Sequence, residues 1–314
     1  MKELPVESRT GSTGGRHVGP LIMLSILAGL VFPFLTIMKP ALPWLLGLLL
    51  FAAYMREGLS VRGVLKKISI SYIPVSILLM LLAGTFLSGF LEGPFKAGFI
   101  MASFTPPALG APVVAAIIGA DLEMVVGNVL VMNLLAPFYM ALAAFMWLPA
   151  DAGIGAAEVF VCIAPIAILP LLTALIFRKV TIFLKPGQFI TSLTGKMGPW
   201  ILSIVVMTAV SSAAVWLRAL NVRELLLNVS MVGVLVTISY VFGALLHRKS
   251  CGAGALIFGH RNSGLTIYLA LASFGGGATV PMVIYMIFHH MINSFLMFFA
   301  CGGSFVPPCA VEES

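Results

Sequence analysis

The chain is built mainly of long apolar runs separated by short polar stretches, and this feature limits the folds open to it more than any other. The runs are about 16 to 27 residues long, close to the length with which a helix crosses about 30 Å of hydrocarbon. Only 9% of the 314 residues are charged, whereas globular chains average about 25%. The sequence therefore predicts an all-α polytopic membrane protein with the lipid bilayer as its surroundings.

Ten runs are long enough to count as spans, and we number them in chain order. They cover residues 19–38, 41–56, 68–91, 95–119, 122–148, 156–178, 198–217, 225–246, 252–273 and 279–302. The predicted organisation is a cytoplasmic tail, a first five-span repeat, an external loop, a second five-span repeat and a final cytoplasmic tail. These parts cover 1–18, 19–148, 149–155, 156–302 and 303–314, and the second repeat includes a cytoplasmic linker at 179–197 to which we assign no chemistry.

The basic residues predict the orientation of the spans. With the N-terminus inside, 13 of the 18 Lys and Arg residues lie in cytoplasmic segments. Four lie outside, namely Lys39, Lys96, Arg218 and Arg223. An excess of cytoplasmic Lys and Arg is typical of inner-membrane topology, so both termini are predicted to be cytoplasmic. The basic residues form short clusters between spans and no basic face, so we expect no nucleic-acid partner.

The two five-span halves show similar features. Spans 1 and 6 carry prolines, Pro33 and Pro170, that are predicted to lie past the middle of each helix. Spans 5 and 10 each contain a central asparagine, Asn133 and Asn293, and spans 4 and 9 are interrupted. Because five is odd, the second copy must be inverted, and interrupted helices at matching places of inverted repeats point to a transport site near the midplane. The alternative is a chance match of spans rich in proline and glycine.

Span 4 contains Pro106, Pro107 and Pro112 directly after Thr105. Each proline removes a backbone donor and disturbs the carbonyl one turn earlier. Irregular backbone at membrane depth is tolerated only where protein or a water-filled cavity surrounds it. Span 4 is therefore predicted to be a broken helix at a binding site, the alternative being a kinked helix that only packs.

Span 9 places Arg261 between His260 and Asn262, about ten residues from either end of the run. An arginine at the centre of a bilayer costs at least about 2.5 to 3.5 kcal/mol, so a partner is expected. The sequence offers no carboxylate well inside a span. Either carbonyls of the broken helices or an anionic substrate can be this partner, and we expect the substrate.

Span 10 contains adjacent histidines, His289 and His290. Neighbouring residues of a helix point about 100° apart, so the two are not expected to face one site. One of them is a candidate proton carrier, and a hydrogen-bonded packing role is the alternative.

The sequence contains no HExxH, no G-x-S-x-G and no P-loop, and its four cysteines have no paired spacing. We therefore expect no enzyme activity, no catalytic residue, no metal site and no cofactor.

Five motifs resemble the bile acid:sodium symporter family, and the resemblance covers nearly the whole chain. They are Gly29-Leu30-Val31-Phe32-Pro33, Pro43-Trp44-Leu45-Leu46-Gly47, Val64-Leu65-Lys66-Lys67, Leu134-Leu135-Ala136-Pro137 and, most specifically, Asn262-Ser263-Gly264-Leu265. His289 also stands where the family often has a histidine. The resemblance implies a bacterial inner-membrane protein with a core of spans 3 to 5 and 8 to 10 and a panel of spans 1, 2, 6 and 7. It also implies that spans 4 and 9 cross where they are unwound.

The sodium ligands of that family do not carry over to this chain. Positions where the family has oxygen ligands align with Ala111, Pro112, Val125, Val129 and Ile257, and another aligns with Arg261. A hard cation needs several oxygens, so the usual sodium sites are predicted to be lost. We interpret the fixed charge of Arg261 as a replacement for the field of a bound sodium ion.

The function that these observations predict is secondary transport of a small organic anion. Arg261 would bind the anion, His260 and Asn262 would orient it, and Thr105 with carbonyls freed by Pro106 and Pro112 would line the other side, near Asn133. Coupling would use protons through His260 or His289, or there would be none. The alternatives are a sodium symporter with relocated ligands and a membrane sensor that does not transport.

Overall fold

A computed structural model describes residues 18–55, 66–68, 72–147, 155–183 and 187–301. Within these ranges the chain is helical and contains no strand. The α-helices are α1 (Val18–Val31), α2 (Leu42–Tyr54), α3 (Tyr72–Ser88), α4 (Gly93–Ser103), α5 (Ala111–Ile118), α6 (Leu122–Trp147), α7 (Ala156–Phe183), α8 (Gly187–Ala219), α9 (Val222–Leu246), α10 (Cys251–Gly259), α11 (Ser263–Ser273) and α12 (Val280–Cys301). Short 3₁₀ helices cover Pro33–Ala41, Arg248–Ser250 and Gly276–Thr279.

Apolar helices long enough to cross a bilayer dominate this fold. Six such segments occur in the described ranges, and they are Pro33–Ala52, Leu122–Trp147, Ala156–Ala174, Met197–Ala219, Val222–Leu246 and Gly276–Ala300. Large apolar side chains face outward, and Trp44 and Phe145 are 79% and 77% exposed. Such a surface is stable only against lipid, so the chain is an all-α multi-pass membrane protein. The count of ten spans and the inverted repeats stay predictions, because several predicted spans fold as shorter helices.

Span 1 is divided in the structure. Helix α1 ends at Val31, and Phe32 adopts φ −112° and ψ 80°. A proline disfavours helical backbone in the residue before it, and Pro33 instead starts the 3₁₀ helix that leads into α2. Pro170, by contrast, lies inside α7. The prediction that both prolines lie within the first helix of their half is therefore wrong for Pro33.

Spans 4 and 9 are both interrupted, as predicted. Span 4 consists of α4 and α5, and span 9 consists of α10 and α11, with irregular backbone between the members of each pair. Helix α5 ends at Ile118 and is followed by Gly119, whose φ of 71° is a left-handed conformation that favours glycine. Each of the four half-helices α4, α5, α10 and α11 is too short to cross a bilayer separately.

The predicted connector at 179–197 is largely helical. Helix α7 continues to Phe183 and α8 begins at Gly187, which leaves only 184–186 outside the described residues. The predicted tails and the external loop also lie outside them, apart from Val18 and Gly155.

An ion pair joins two segments that the predicted topology places on the same side of the membrane. Lys67 Nζ lies 2.8 Å from Asp121 Oδ2 and 3.6 Å from Glu123 Oε2. The hydrogen bond to Asp121 raises the pKa of Lys67 above its usual value. Because the Lys67 side chain is 46% exposed, the pair adds little stability. Its position fits the predicted alternation of spans 3 and 4.

Glycines allow α9 and α10 to pack backbone against backbone. Gly243 of α9 faces Gly254 of α10, and a Cβ atom added to Gly243 would lie 2.8 Å from both the Gly254 carbonyl carbon and Phe258 Cβ. Small residues at helix interfaces permit this close approach in membranes, where packing replaces the hydrophobic drive between helices.

We expect Gly243→Ala to separate α9 from α10 and to lower the free energy of unfolding by about 1 to 3 kcal/mol, the usual cost of overpacking. Thermal unfolding of the purified protein in detergent measures this. Gly198→Ala is the matched control, because a Cβ atom there meets nothing within 4 Å. Equal stability of the two variants would contradict the close contact.

Candidate functional site

The two interrupted spans cross and pair through their irregular backbones. Pro107 and Arg261 form an isolated antiparallel bridge. The backbone N–H of Ala108 donates to the His260 carbonyl at 2.7 Å, and that of Asn262 donates to the Pro106 carbonyl at 2.8 Å. Each break therefore supplies the hydrogen-bond partners that the other break lacks, as a membrane interior requires.

Two asparagines complete the crossing. Asn133 of α6 donates through Nδ2 to the Pro107 carbonyl at 2.9 Å. Its Oδ1 accepts from Asn262 Nδ2 at 3.3 Å, while Asn262 Oδ1 accepts from the Leu265 N–H and caps α11. Both asparagines are buried. They tie α6, the span 4 break and the start of α11 into one hydrogen-bonded unit.

Thr105 links α4 to α11. Its Oγ1 donates to the Met101 carbonyl at 3.0 Å and lies within hydrogen-bond distance, 2.6 Å, of Thr266 Oγ1. The sequence-based site included Thr105 but not Thr266, because a threonine inside an apolar run gives no signal without its partner.

Arg261 is buried at the crossing with an exposed fraction of 3%. Its Nη1 donates to the Thr105 carbonyl at 2.8 Å, and its Nη2 has no hydrogen-bond partner. None of the salt bridges among the described residues includes Arg261. A backbone carbonyl therefore accepts one of the hydrogen bonds that the guanidinium can donate. The positive charge of Arg261 has no acidic partner among the described residues.

A small cavity with room for about one water molecule lies beside the Arg261 side chain. It is lined by Ser76, Ile77, Met80, Ser103, Phe104, Met132, Tyr139 and Arg261. These residues come from α3, the end of α4 with the residue that follows it, α6 and the break between α10 and α11. The Tyr139 hydroxyl is buried without a partner, so the cavity holds two unsatisfied donors.

The histidines of spans 9 and 10 form a cluster. His260 lies with its ring centroid 4.8 Å from that of His289 and 5.7 Å from that of His290. The His289 and His290 centroids are 4.2 Å apart. The prediction that the two adjacent histidines do not share a site is wrong, because both rings lie close to the His260 ring. The side chains leave the helix about 100° apart, but their length allows the rings to approach the same neighbour.

Hydrocarbon fills the positions at which the resemblance predicts that sodium ligands are lost. Ala111, Val125, Val129 and Ile257 are buried and belong to one apolar cluster. Pro112 lies in the first turn of α5, where a proline removes no helical hydrogen bond. The expectation that Pro112 frees a carbonyl to line a binding site is therefore wrong.

The structure brings most of the predicted site residues together. The crossing holds Thr105, Pro106, Asn133, His260, Arg261 and Asn262, and His289 joins it through His260. Tyr285 is a further residue at this place, because its hydroxyl donates to the Gly259 carbonyl at 2.9 Å and satisfies the end of α10. A tyrosine in an apolar span carries no spacing signal that could have identified it.

Comparisons with known proteins leave the family open. No protein-family model matches the chain, and no curated protein matches it significantly. The site is therefore interpreted from its own geometry.

We expect Asn133→Ala to lower the free energy of unfolding by about 1 to 3 kcal/mol more than Asn128→Ala does, because it leaves the buried Pro107 carbonyl unpaired. Both asparagines lie on α6 and are about equally buried, but Asn128 bonds only to the Met124 carbonyl of its own helix. Denaturant or thermal unfolding of the two variants in detergent compares them. Equal losses would show that Asn133 does not hold the crossing.

Proposed function

We propose that the protein is a secondary transporter of a small organic anion that works by alternating access, with ten spans arranged as two inverted five-span repeats. One observation carries the proposal: a buried arginine without a carboxylate partner lies where two interrupted spans cross. Crossed, interrupted helices near the midplane are a recurrent site for substrates of secondary transporters. The proposal includes the resemblance to the bile acid:sodium symporter family.

The charge of Arg261 supports an anionic substrate. A buried cation is stable only if it is paired or hydrogen-bonded, and a single carbonyl leaves it underpaired. The unpartnered Nη2 of Arg261 can donate to a carboxylate or a similar group, and such charge-assisted hydrogen bonds are about twice as strong as neutral ones.

Two half-helices add to the positive field at the crossing. Helix α5 begins at Ala111 and α11 begins at Ser263, both next to the bridge between Pro107 and Arg261. The N-terminus of a helix carries about half a positive charge, so both starts favour a negative group nearby. Their positions agree with an anion bound at the crossing.

The cavity beside Arg261 supports a small binding group. Pockets for drug-sized ligands measure about 300 to 1,000 Å³, whereas this cavity has room for about one water molecule. We therefore propose that the cavity widens during the transport cycle and that only a compact anionic group reaches the guanidinium. Tyr139, Ser76 and Ser103 are the neutral polar residues that line the cavity, and of these the Tyr139 hydroxyl is buried without a hydrogen-bond partner.

The residues around Arg261 have separable roles in this proposal. Arg261 binds the anion, whereas Thr105, Asn133 and Asn262 are positioning residues whose polar atoms are engaged in holding the crossing. The carbonyl of Pro106 is likewise engaged, by the Asn262 N–H. His260 lies against the α12 histidines and remains the candidate for proton coupling together with His289.

Coupling to sodium through the family's usual ligands is disfavoured in this proposal. The aligned positions hold methyl and methylene groups, which cannot coordinate a hard cation. The fixed charge of Arg261 takes the place of a bound sodium ion, and transport is coupled to protons or uncoupled.

We expect Arg261→Gln to weaken binding of the substrate anion about 10- to 100-fold, the equivalent of losing a charged hydrogen-bond partner worth about 1.5 to 3 kcal/mol. A thermal-shift screen of organic anions on the purified protein identifies a ligand, and counterflow in proteoliposomes then measures its transport. Arg223→Gln is the control, because Arg223 is exposed at the start of α9. Unchanged binding and transport of every anion by Arg261→Gln would refute the proposed role.

We expect uptake of the identified anion into proteoliposomes to be the same in sodium and in potassium buffers. A tenfold or larger stimulation by a sodium gradient would identify a sodium symporter with relocated ligands. Binding without counterflow would instead identify a membrane sensor that does not transport.

A further inference from the structure

Three histidines from two elements of the fold form a compact group beside the crossing. His260 lies in the break between α10 and α11, and His289 and His290 lie on α12. One ring nitrogen from each lies within 4.8 Å of the others. No second group of three or more His, Cys, Asp or Glu residues with such proximity occurs in the described part of the chain.

The histidines of this group have unused ligand atoms. His260 and His289 are only 2% and 1% exposed, yet the Nδ1 atom of each has no hydrogen-bond partner. Buried polar atoms are nearly always paired, and two unpaired nitrogens in one cluster indicate that a further group belongs between them. The cluster contains no acidic side chain, so the histidines themselves are the only ligands it offers to such a group.

Imidazole ligands select the kind of ion. Neutral histidine nitrogen suits zinc, copper, nickel and iron, whereas magnesium and calcium require oxygen ligands. Three histidines with one open position form a common zinc arrangement, with Zn–N distances of about 2.0 to 2.1 Å. The nitrogens of such a tetrahedral site are about 3.3 Å apart, so rotation of the ring side chains must draw the group together by about 1.5 Å.

The extended backbone of the span 9 break separates this cluster from Arg261. His260 has φ −85° and ψ 95°, and successive side chains of extended backbone point to opposite sides. His260 accordingly lies close to Gly110, and Arg261 faces the cavity with Tyr139. Gly110 provides room, because a Cβ atom there would already contact the His260 ring at 3.4 Å.

We propose that His260, His289 and His290 bind one divalent transition-metal ion, with Zn²⁺ as the best match. Three imidazole nitrogens are its protein ligands, and the fourth position is open to water or an anion. Because the ligands are neutral and the surroundings apolar, the ion's charge favours an anion there. This site departs from the sequence-based expectation of no metal. It would replace the candidate role of His260 and His289 in proton coupling, and it leaves the proposed role of Arg261 in anion binding unchanged.

The test measures metal binding by the purified, tag-free full chain in detergent after removal of metals with a chelator. We expect one Zn²⁺ per chain by calorimetry. His260→Ala, His289→Ala and His290→Ala should each weaken this binding at least about tenfold, since changes even in outer-shell partners of metal ligands cost 10- to 100-fold. His247→Ala is the matched control and should bind Zn²⁺ as the unmodified protein does, because His247 lies outside the cluster, next to Phe258.

A second measurement on the unmodified protein keeps the proposal testable if the alanine variants do not fold. Co²⁺ in place of Zn²⁺ should produce the visible absorption of a tetrahedral site without a thiolate charge-transfer band. No stoichiometric Zn²⁺ binding, or a thiolate band from cysteine ligands, would overturn the proposal. Tight binding retained by a folded His260→Gln variant would overturn it as well.

Discussion

Backbone hydrogen bonding at membrane depth is the constraint on which the rest of this structure depends. The breaks in spans 4 and 9 leave N–H and C=O groups without helical partners, and lipid offers none. The crossing solves this by pairing Ala108 with the His260 carbonyl and Asn262 with the Pro106 carbonyl. Asn133 supplies the donor for Pro107. The relative positions of α4, α5, α10 and α11 follow from these few bonds.

The same crossing also determines where the His260 and Arg261 side chains lie. The irregular backbone between α10 and α11 places His260 against the α12 histidines and Arg261 at the cavity with Tyr139. Arg261 thus lies close to the starts of α5 and α11, while Val125 and Ile257 belong to the apolar core. The proposed anion and metal sites therefore use neighbouring residues of one three-residue segment.

The sequence alone was enough to locate residues that are costly in an apolar helix. Arg261 and the prolines of span 4 stand out in apolar runs, so their place at a break was predictable from cost alone. It failed where a residue is ordinary for its surroundings: Thr266, Tyr139 and Tyr285 look like any polar residue of a membrane helix until a partner from another span is known. Pro33 was misplaced because a proline can either kink a helix or begin one.

The sequence by itself determined that the chain is a helical membrane protein and that spans 4 and 9 are interrupted, since apolar length and helix-breaking residues act locally. Tertiary structure alone decided that the two breaks meet, that Arg261 donates to the Thr105 carbonyl, and that three histidines converge. These features join residues more than 25 positions apart, and Arg261 and Thr105 are separated by 156 positions. Contacts across such distances depend on how whole helices pack, which no local pattern in the chain records.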